Sequence, residues 1–431
     1  MSRNEGILVI GGGIAGIQAA LDIAEQGVTT YLLERSPSIG GHMAQLDKTF
    51  PTLDCSACIL TPKMVEVSRH PNIKLLTYSE LHGVKKSGRG FDVKILKKPR
   101  FVDETKCTGC GICAQHCPIE VQNEFDMGLG IRKAIYVPFP QAVPLRYTID
   151  DTHCVKCGLC KRVCQLEAID FDQQAQLIDL KVGAIVVATG FEIFDAKKKS
   201  EYGYGRYPNV ITSLELERLL NASGPTAGHI TRLSDGRIPK KVAFVQCVGS
   251  RDERVGNPYC SRVCCMYAIK NAILLKEHVH DADVAVFYMD IRAYGKGFEE
   301  FYQRAKDEFN VRFIRGRVAN VVEVPETKDL MVRAEDTEEG RRIEEKFDMV
   351  VLSVGLLPSN EIFKVGKILD LPLDEHGFPH EADVITNPIT VAKSKGIFIA
   401  GTAEGPKDIP DSVADASAAA IKAVSYLGGK D

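Results

Sequence analysis

The sequence has little charge excess of either sign. Lys and Arg number 54 against 57 Asp and Glu, a formal net charge of −3 over 431 residues. A nucleic-acid partner calls for a basic excess or stripe, so that class is excluded. Long apolar runs are missing too. Stretches such as residues 183–190 fall far short of the roughly 20 residues that a membrane-spanning helix needs. No charged leader or small-residue cleavage site precedes Gly6-Ile-Leu-Val-Ile10, so a cytoplasmic chain without a secretory signal is expected. None of the ten His falls in H-E-x-x-H or another ligand spacing, and neither G-x-S-x-G nor a P-loop occurs, which removes hydrolase and NTPase readings. What remains is an ordinary globular composition, 45% hydrophobic and 26% charged, at a length of about three domains. Fourteen cysteines are the outlier. In a reducing compartment they point to metal or redox work rather than to disulfides.

Ile7-Leu-Val-Ile10 is a short apolar run suited to a strand buried on both faces of a parallel sheet. It enters Gly11-Gly-Gly-Ile14-Ala15-Gly16 and then a helical stretch over residues 17–26. Gly11, Gly13 and Gly16 fit G-x-G-x-x-G: a tight turn, a close backbone approach to pyrophosphate, and close helix–strand packing. The helix N-terminus, at Ile14 and Ala15, offers N–H groups to the phosphates. A second strand, Thr30-Tyr-Leu-Leu33, ends in Glu34 and Arg35, where a carboxylate would take the ribose hydroxyls. Two later strand ends, Val186-Val-Ala188-Thr189-Gly190 and Gly396-Ile-Phe-Ile-Ala-Gly401, favour FAD over NAD. The second leads through Thr402 into an Ala-rich helix over 413–426. The order of these pieces resembles the two-dinucleotide-domain flavoproteins, the thioredoxin and glutathione reductase superfamily. That superfamily usually has Asp where Thr402 stands, so Thr402 is the candidate flavin contact there and the usual carboxylate contact to the ribityl chain is not expected.

Cys107-x2-Cys110-x2-Cys113-x3-Cys117-Pro118 is the bacterial ferredoxin run, repeated as Cys154-x2-Cys157-x2-Cys160-x3-Cys164 without the proline. In such a pair the fourth cysteine of each run ligates the other cluster. The spacing therefore predicts one [4Fe–4S] cluster on Cys107, Cys110, Cys113 and Cys164, and a second on Cys154, Cys157, Cys160 and Cys117. Zinc is the alternative, but it needs four ligands per site and does not call for the third and fourth cysteine of each run. The module, about residues 101–171, interrupts the flavin domain between two alternating strands, Phe91-Asp-Val-Lys-Ile-Leu96 and Gln176-Leu-Ile-Asp-Leu180. If these pair as a hairpin, the module is a long hairpin insertion. A two-electron flavin beside one-electron clusters suggests a splitter of electron pairs.

Lys240-Lys-Val-Ala-Phe-Val-Gln246 opens a second strand–turn–helix unit, where a pyridine-nucleotide reductase would carry another G-x-G-x-x-G. Here the phosphate-cradling glycines give way to Cys247, Cys260, Cys264 and Cys265, so no NAD(P)H site is expected in this domain. The four thiols could hold a third cluster; buried, inert cysteine is the bland alternative. Cys55-Ser-Ala-Cys58 stays open among a redox dithiol beside the flavin, ligands of a shared cluster, and structural thiols.

Four stretches resemble the A-type subunit of the heterodisulfide reductases. They are Gly40-Gly41-His42-Met-Ala-Gln-Leu-Asp-Lys-Thr-Phe-Pro-Thr-Leu-Asp-Cys55, Ile59-Leu-Thr-Pro-Lys63, Tyr259-Cys-Ser-Arg-Val-Cys-Cys-Met-Tyr-Ala-Ile-Lys270 and Gly405-Pro-Lys407-Asp-Ile409-Pro410. The resemblance implies an α/β, thioredoxin-reductase-like, two-dinucleotide-domain flavoprotein with an inserted two-cluster bacterial ferredoxin domain. The FAD domain would comprise 1–98, 173–238 (with a linker) and 347–431, the ferredoxin 99–172, and the second Rossmann-like domain 239–346. It implies tightly bound FAD, with Gly41, His42, Lys407 and Ile409 among its contacts, and electron bifurcation or confurcation there. It also implies that Cys247, Cys260, Cys264 and Cys265 hold a cluster and that Lys270 lies near the flavin, where a cation would favour reduced, anionic flavin. A solvated helix lysine is the other reading of Lys270. The implied partners are B- and C-type subunits, with a hydrogenase, formate dehydrogenase or other input module, in a hetero-oligomer.

Longer members of that family carry a domain ahead of the first glycine turn and another ferredoxin at the C-terminus. Against them this chain reads as a short form, with at least one electron exit different or supplied by a partner. Short relatives in the quinone-interacting oxidoreductase of sulfate reducers offer a rival role between a membrane complex and a soluble one. A flavin disulfide reductase using Cys55 and Cys58, and a wiring scaffold with FAD as a relay, are the further alternatives. Elsewhere, residues 201–238 read as a linker, 288–304 as a docking face or a half-solvated helix, and 321–345 as an exposed hairpin turning at Glu338-Glu-Gly340.

Overall fold

Ile7-Leu-Val-Ile10 forms the strand Gly6–Ile10, buried along its whole length, in a computed structural model that describes residues 6–429. It is flanked in parallel by Thr30–Glu34 and Gln176–Val187, and beyond these by Ile73–Thr77 and Ile397–Ile399. Period-two alternation sends Ile7 and Val9 to one core and Leu8 and Ile10 to the other. On the first face lie the helices Ile14–Glu25 and Ile409–Leu427. Ala19, Ala20, Ala416 and Ala420 share that core, and Ser417 Oγ donates to Asp22 Oδ2 at 2.6 Å between the two helices. On the second face the helix Asn360–Leu369 buries Ile362 and Val365. Each such aliphatic side chain contributes about 1.5–3 kcal/mol.

These elements belong to one unit, which takes in the described residues up to Ala44, then Ala57–Phe191, and those from Pro358 on. Within it Gly90–Lys97 pairs antiparallel with Gln176–Val187, Leu96 facing Leu177 and Phe91 facing Val182. The expected hairpin is therefore present, and residues 98–175 leave and re-enter the sheet along it. This inserted segment has two short helices, Ile112–Gln115 and Leu159–Val163, and a small core of Val102, Ile135, Ile149, Ala168 and Ile169. Arg100, 1% exposed, fixes its root. Its guanidinium donates to Thr148 Oγ1 at 2.8 Å, Pro37 O at 2.7 Å and Thr77 Oγ1 at 2.6 Å.

The second unit comprises Gln45–Ser56 and Glu192–Leu357. Its parallel sheet runs Val210–Thr212, Met349–Val354, Lys241–Val248, Asp283–Tyr288, Arg312–Arg315. The residues expected as a linker over 201–238 are built into it. Tyr202 and Arg232 are buried, and the helix Ser213–Leu220 starts from a reciprocal Thr212–Glu215 capping box. The expected hairpin is two strands of a three-stranded meander, Val318–Glu323, Leu330–Asp336 and Arg341–Phe347, with Glu338-Glu-Gly340 in its second turn. Of the 288–304 stretch, the helix Phe298–Asp307 buries Phe301 and Ala305 and leaves its other side to solvent.

Candidate functional site

The glycine turn is set by how closely the backbone packs. Gly11 has φ +110°, and a Cβ there would lie 2.2 Å from the Ala188 carbonyl oxygen. A Cβ on Gly16 would lie 1.8 Å from the Gly11 oxygen. At Gly13 a Cβ would meet nothing within 4 Å, so the turn is open on that side, at the first turn containing Ile14 and Ala15. A phosphate can approach there. Glu34 is held to the turn: Oε2 accepts from the Gly12 N–H and Oε1 from the Ser36 N–H, each at 2.7 Å. Each oxygen retains a lone pair for a ribose hydroxyl.

A solvent-open cleft adjoins the turn, with Gly11, Glu34, Arg35, Ser79, Leu81, Thr189 and Glu361 in its wall. Thr189 Oγ1 is buried and, among the described residues, has no hydrogen-bond partner. Buried polar atoms rarely stay unpaired, so cradle and cavity fit a dinucleotide such as FAD. The other expected contacts lie in the same unit. A Cβ on Gly41 would come within 2.9 Å of Gly13 Cα, and one on Gly401, which precedes Thr402, within 2.6 Å of Ala15 Cβ. His42 stacks on Phe191 at 4.4 Å, with Nε2 3.0 Å from the Phe191 oxygen. The Ala188 N–H bonds Ile10 O at 2.8 Å, and Gly190 follows Thr189 at φ +72°. Lys407 is buried between the carboxylates of Glu404 and Asp415, and Ile409 opens the last helix, capped by Asp408.

The two cysteine runs cross within the inserted segment. A second cavity is lined by Cys154, Cys157 and Cys160 of the second run and by Cys117 of the first. Burial pushes the Cys160 thiol up to about 11, and its neighbours Cys154, Cys157 and Cys117 add to that. Burial likewise pushes Cys113 up to about 12, helped by Cys107 and Cys110. Cys164 packs in the same small core. Among the described residues, no three His, Cys, Asp or Glu converge as for a single metal ion. A four-iron cubane takes one thiolate per iron and so needs ligands spread around a larger volume, which suits this wall of separated sulfurs. Its positive irons would also offset the burial and the mutual repulsion that raise these thiols.

In the second unit the strand Lys241–Val248 shifts register against Met349–Val354 just after Val245, and Cys247 there adopts φ +59°. Burial pushes Cys247 up to about 12, with Cys265 and Cys260 adding to it. Burial raises Cys264 and Cys265 in the same way, Cys247, Cys265 and Cys260 acting on Cys264. The four cysteines are therefore neighbours around the start of the helix Cys264–His278. Two turns along that helix, Lys270 is 1% exposed. It is ion-paired with Glu217 and donates to Lys48 O at 2.9 Å, so the solvated-lysine reading is overturned by burial. Cys55 and Cys58, exposed at the start of the helix Ser56–Arg69, are disulfide-bonded, while the other twelve cysteines are free.

Sequence reasoning missed Glu217, Glu361 and Arg100. Glu217 carried a signal: it shares a helical row with Leu214 and Leu220, an acid inside an apolar stripe.

The family profile "Pyridine nucleotide-disulphide oxidoreductase" matches residues 6–420. The chain is 59% identical over 420 residues to the second iron–sulfur A-type subunit of CoB–CoM heterodisulfide reductase from Methanopyrus kandleri, covering 97% of this chain and 64% of that protein. It is 59% identical over 413 residues to the A-type subunit of the H2/formate:CoB–CoM heterodisulfide,ferredoxin reductase from Methanococcus maripaludis, covering 96% and 63%. The chain thus spans a little under two thirds of these relatives' length. Among solved structures, thioredoxin reductase of T. acidophilum superposes with a TM-score of 0.54 at 14% identity, covering 100% of each chain. That of Lactococcus lactis gives 0.54 at 16%, covering 99% of this chain and 100% of that one. The expected thioredoxin-reductase-like α/β fold and the resemblance to the A-type subunit of heterodisulfide reductases are both borne out.

Proposed function

Since the chain belongs to the pyridine nucleotide-disulphide oxidoreductase family, we propose that this oxidoreductase is the FAD- and iron–sulfur-containing electron-transfer subunit of a heterodisulfide-reductase-like complex. The carrying observation is the meeting of Cys117 with Cys154, Cys157 and Cys160 at one cavity. FAD exchanges electrons in pairs or singly, and each cubane passes one at a time. Gly11, Gly13 and Gly16 bring the backbone to the dinucleotide phosphates and Glu34 takes the ribose. The cysteines of the two crossed runs hold two clusters, and Cys247, Cys260, Cys264 and Cys265 hold a third in place of a nicotinamide site. Lys270 is held within the second unit by its buried ion pair with Glu217.

Electron bifurcation or confurcation at the flavin is the finer reading. Its partners would be B- and C-type subunits with a hydrogenase, formate dehydrogenase or comparable input module, in a hetero-oligomer. Support comes from the relatives' names, one of which couples H2 or formate to a heterodisulfide and ferredoxin. Among the described residues no helix is long and apolar enough to cross a membrane. Iron and acid-labile sulfide per FAD in the anaerobically purified chain test the proposal. About 12 irons per flavin is the expected result, and about 8 would remove the third cluster. A disulfide reductase remains a second reading, favoured by the exposed Cys55 and Cys58 disulfide.

A further inference from the structure

The cavity beside the glycine turn holds a second buried polar atom with no role so far. Glu361 is 9% exposed, and its Oε2 is buried without a hydrogen-bond partner among the described residues. Arg35 Nη1, 3.8 Å away, makes a long ion pair with it but no hydrogen bond. The carboxyl is fixed in place from below. Glu361 stands in the first turn of Asn360–Leu369, Ser359 Oγ caps that helix by accepting from the Ile362 N–H at 3.2 Å, and Ile362 and Val365 sit in the core. Burial holds the Glu361 carboxyl above its usual range; Glu80 and Glu34 act in the same direction, and Arg35 and Lys364 oppose them. A buried carboxyl oxygen left without a hydrogen bond is expensive unless something bonds to it.

The position of the cavity says which part of a dinucleotide it meets. Its wall includes Glu34, the ribose carboxylate, and Arg35 and Leu81 beyond it, together with the apolar Ile10 and Leu33. Gly13, on the open phosphate side of the turn, is not part of that wall. The space therefore receives the base end, with apolar surface for a flat ring and two buried polar atoms that lack a hydrogen bond among the described residues, Thr189 Oγ1 and Glu361 Oε2, for its edge.

We propose that Glu361 is the base-reading residue of this pocket, its Oε2 accepting a hydrogen bond from the exocyclic amine of an adenine ring. This rests on the FAD reading above and deepens it. Adenine offers a donor at that position; hypoxanthine offers a carbonyl, which would face the carboxyl oxygen unpaired.

The deflavinated full chain, as wild type, Glu361→Ala and Glu361→Gln, is titrated with FAD and with flavin hypoxanthine dinucleotide, following flavin fluorescence. The melting temperature of each ligand-free protein is recorded alongside. The wild type should prefer FAD by about tenfold, the value of one well-placed hydrogen bond. Glu361→Ala should bind both dinucleotides alike. Glu361→Gln, which is isosteric and can also donate, should keep FAD binding and narrow the preference; it decides the matter if the alanine variant melts early. Equal wild-type affinities, or a preference that survives in both variants, overturn the assignment of Glu361 while leaving FAD in place. A wild-type chain that binds neither dinucleotide overturns the FAD reading, and the assignment with it.

Discussion

The ammonium of Lys270 and the carboxylate of Glu217 form an ion pair whose side chains are 2% and 3% exposed. Glu217 also accepts the Asp47 N–H at 3.0 Å, and Lys270 donates to Lys48 O at 2.9 Å, so the pair ties the short Gln45–Ser56 segment into its unit. Removing one partner of such a pair leaves a buried charge uncompensated, at a cost of about 3–5 kcal/mol. Glu217→Ala should therefore lower the urea midpoint of unfolding strongly, and the double variant Glu217→Leu with Lys270→Met should recover most of the loss. If single and double variants unfold at the same urea concentration, the burial of charge is not what matters.

Crossed ligation makes a non-additive prediction. Cys117 shares its cavity with Cys154, Cys157 and Cys160. The double variant Cys117→Ser with Cys154→Ser should then lose only one cluster, about 4 irons, because both residues serve the same one. Cys117→Ser with Cys107→Ser should lose about 8, because it strikes both. Iron analysis with EPR of the reduced protein reads the difference. The opposite ranking would place Cys117 with its own run.

Asp252 offers a pH test outside the cysteine sites. Its Oδ2 pairs with Lys199 Nζ at 2.8 Å and Arg317 Nη2 at 3.2 Å, and Oδ1 caps the Arg254 N–H at 3.1 Å. The hydrogen bond from Lys199 is the main reason that its carboxyl sits below the usual range. A depressed folded value means stability that is present above the unfolded carboxylate range and lost as pH falls through the folded one. Asp252→Asn should cost about 1–2 kcal/mol at neutral pH, with the gap to wild type closing below about pH 4. Thermal unfolding across pH 3–7 measures it, and a gap constant with pH refutes it.

The glycines separate folding from binding. Gly16→Ala puts a methyl 1.8 Å from the Gly11 oxygen and should destabilise the first unit. Gly13→Ala meets nothing within 4 Å and should leave the fold intact, while crowding the phosphates and lowering FAD occupancy. Flavin content and melting temperature should thus fall together for Gly16→Ala and part company for Gly13→Ala.

Much of this was legible because its signals are local. The glycine turn, both ferredoxin runs and the cysteine-substituted turn after Gln246 are fixed by spacing within one element or loop. The hairpin around the insert followed from alternation on both flanking strands. What escaped depends on partners far along the chain. Arg100 gains its meaning from Pro37, Thr77 and Thr148, and Glu361 from a cavity whose wall starts at Ile10. The stretch over 201–238 was misread for another reason: glycine and polar residues suggested a linker, although Thr212-x-x-Glu215 announced a helix start.

Cys55 and Cys58 divide the two functional readings. They are exposed, disulfide-bonded, and at the start of the helix Ser56–Arg69, where the dipole lowers the cost of a thiolate. If this disulfide is the working group of a reductase, its opening takes up two electrons and two protons, and Cys55→Ser should keep FAD yet abolish turnover with a disulfide substrate. If the clusters carry the electrons, the same variant should retain FAD, its full iron content and electron transfer from reduced flavin to a one-electron acceptor. Stopped-flow oxidation of the reduced variant by such an acceptor, run beside wild type, separates the two. Unchanged rates leave the disulfide a surface feature of the electron-transfer chain, whereas a collapse of the rate with iron intact makes it a station on the path.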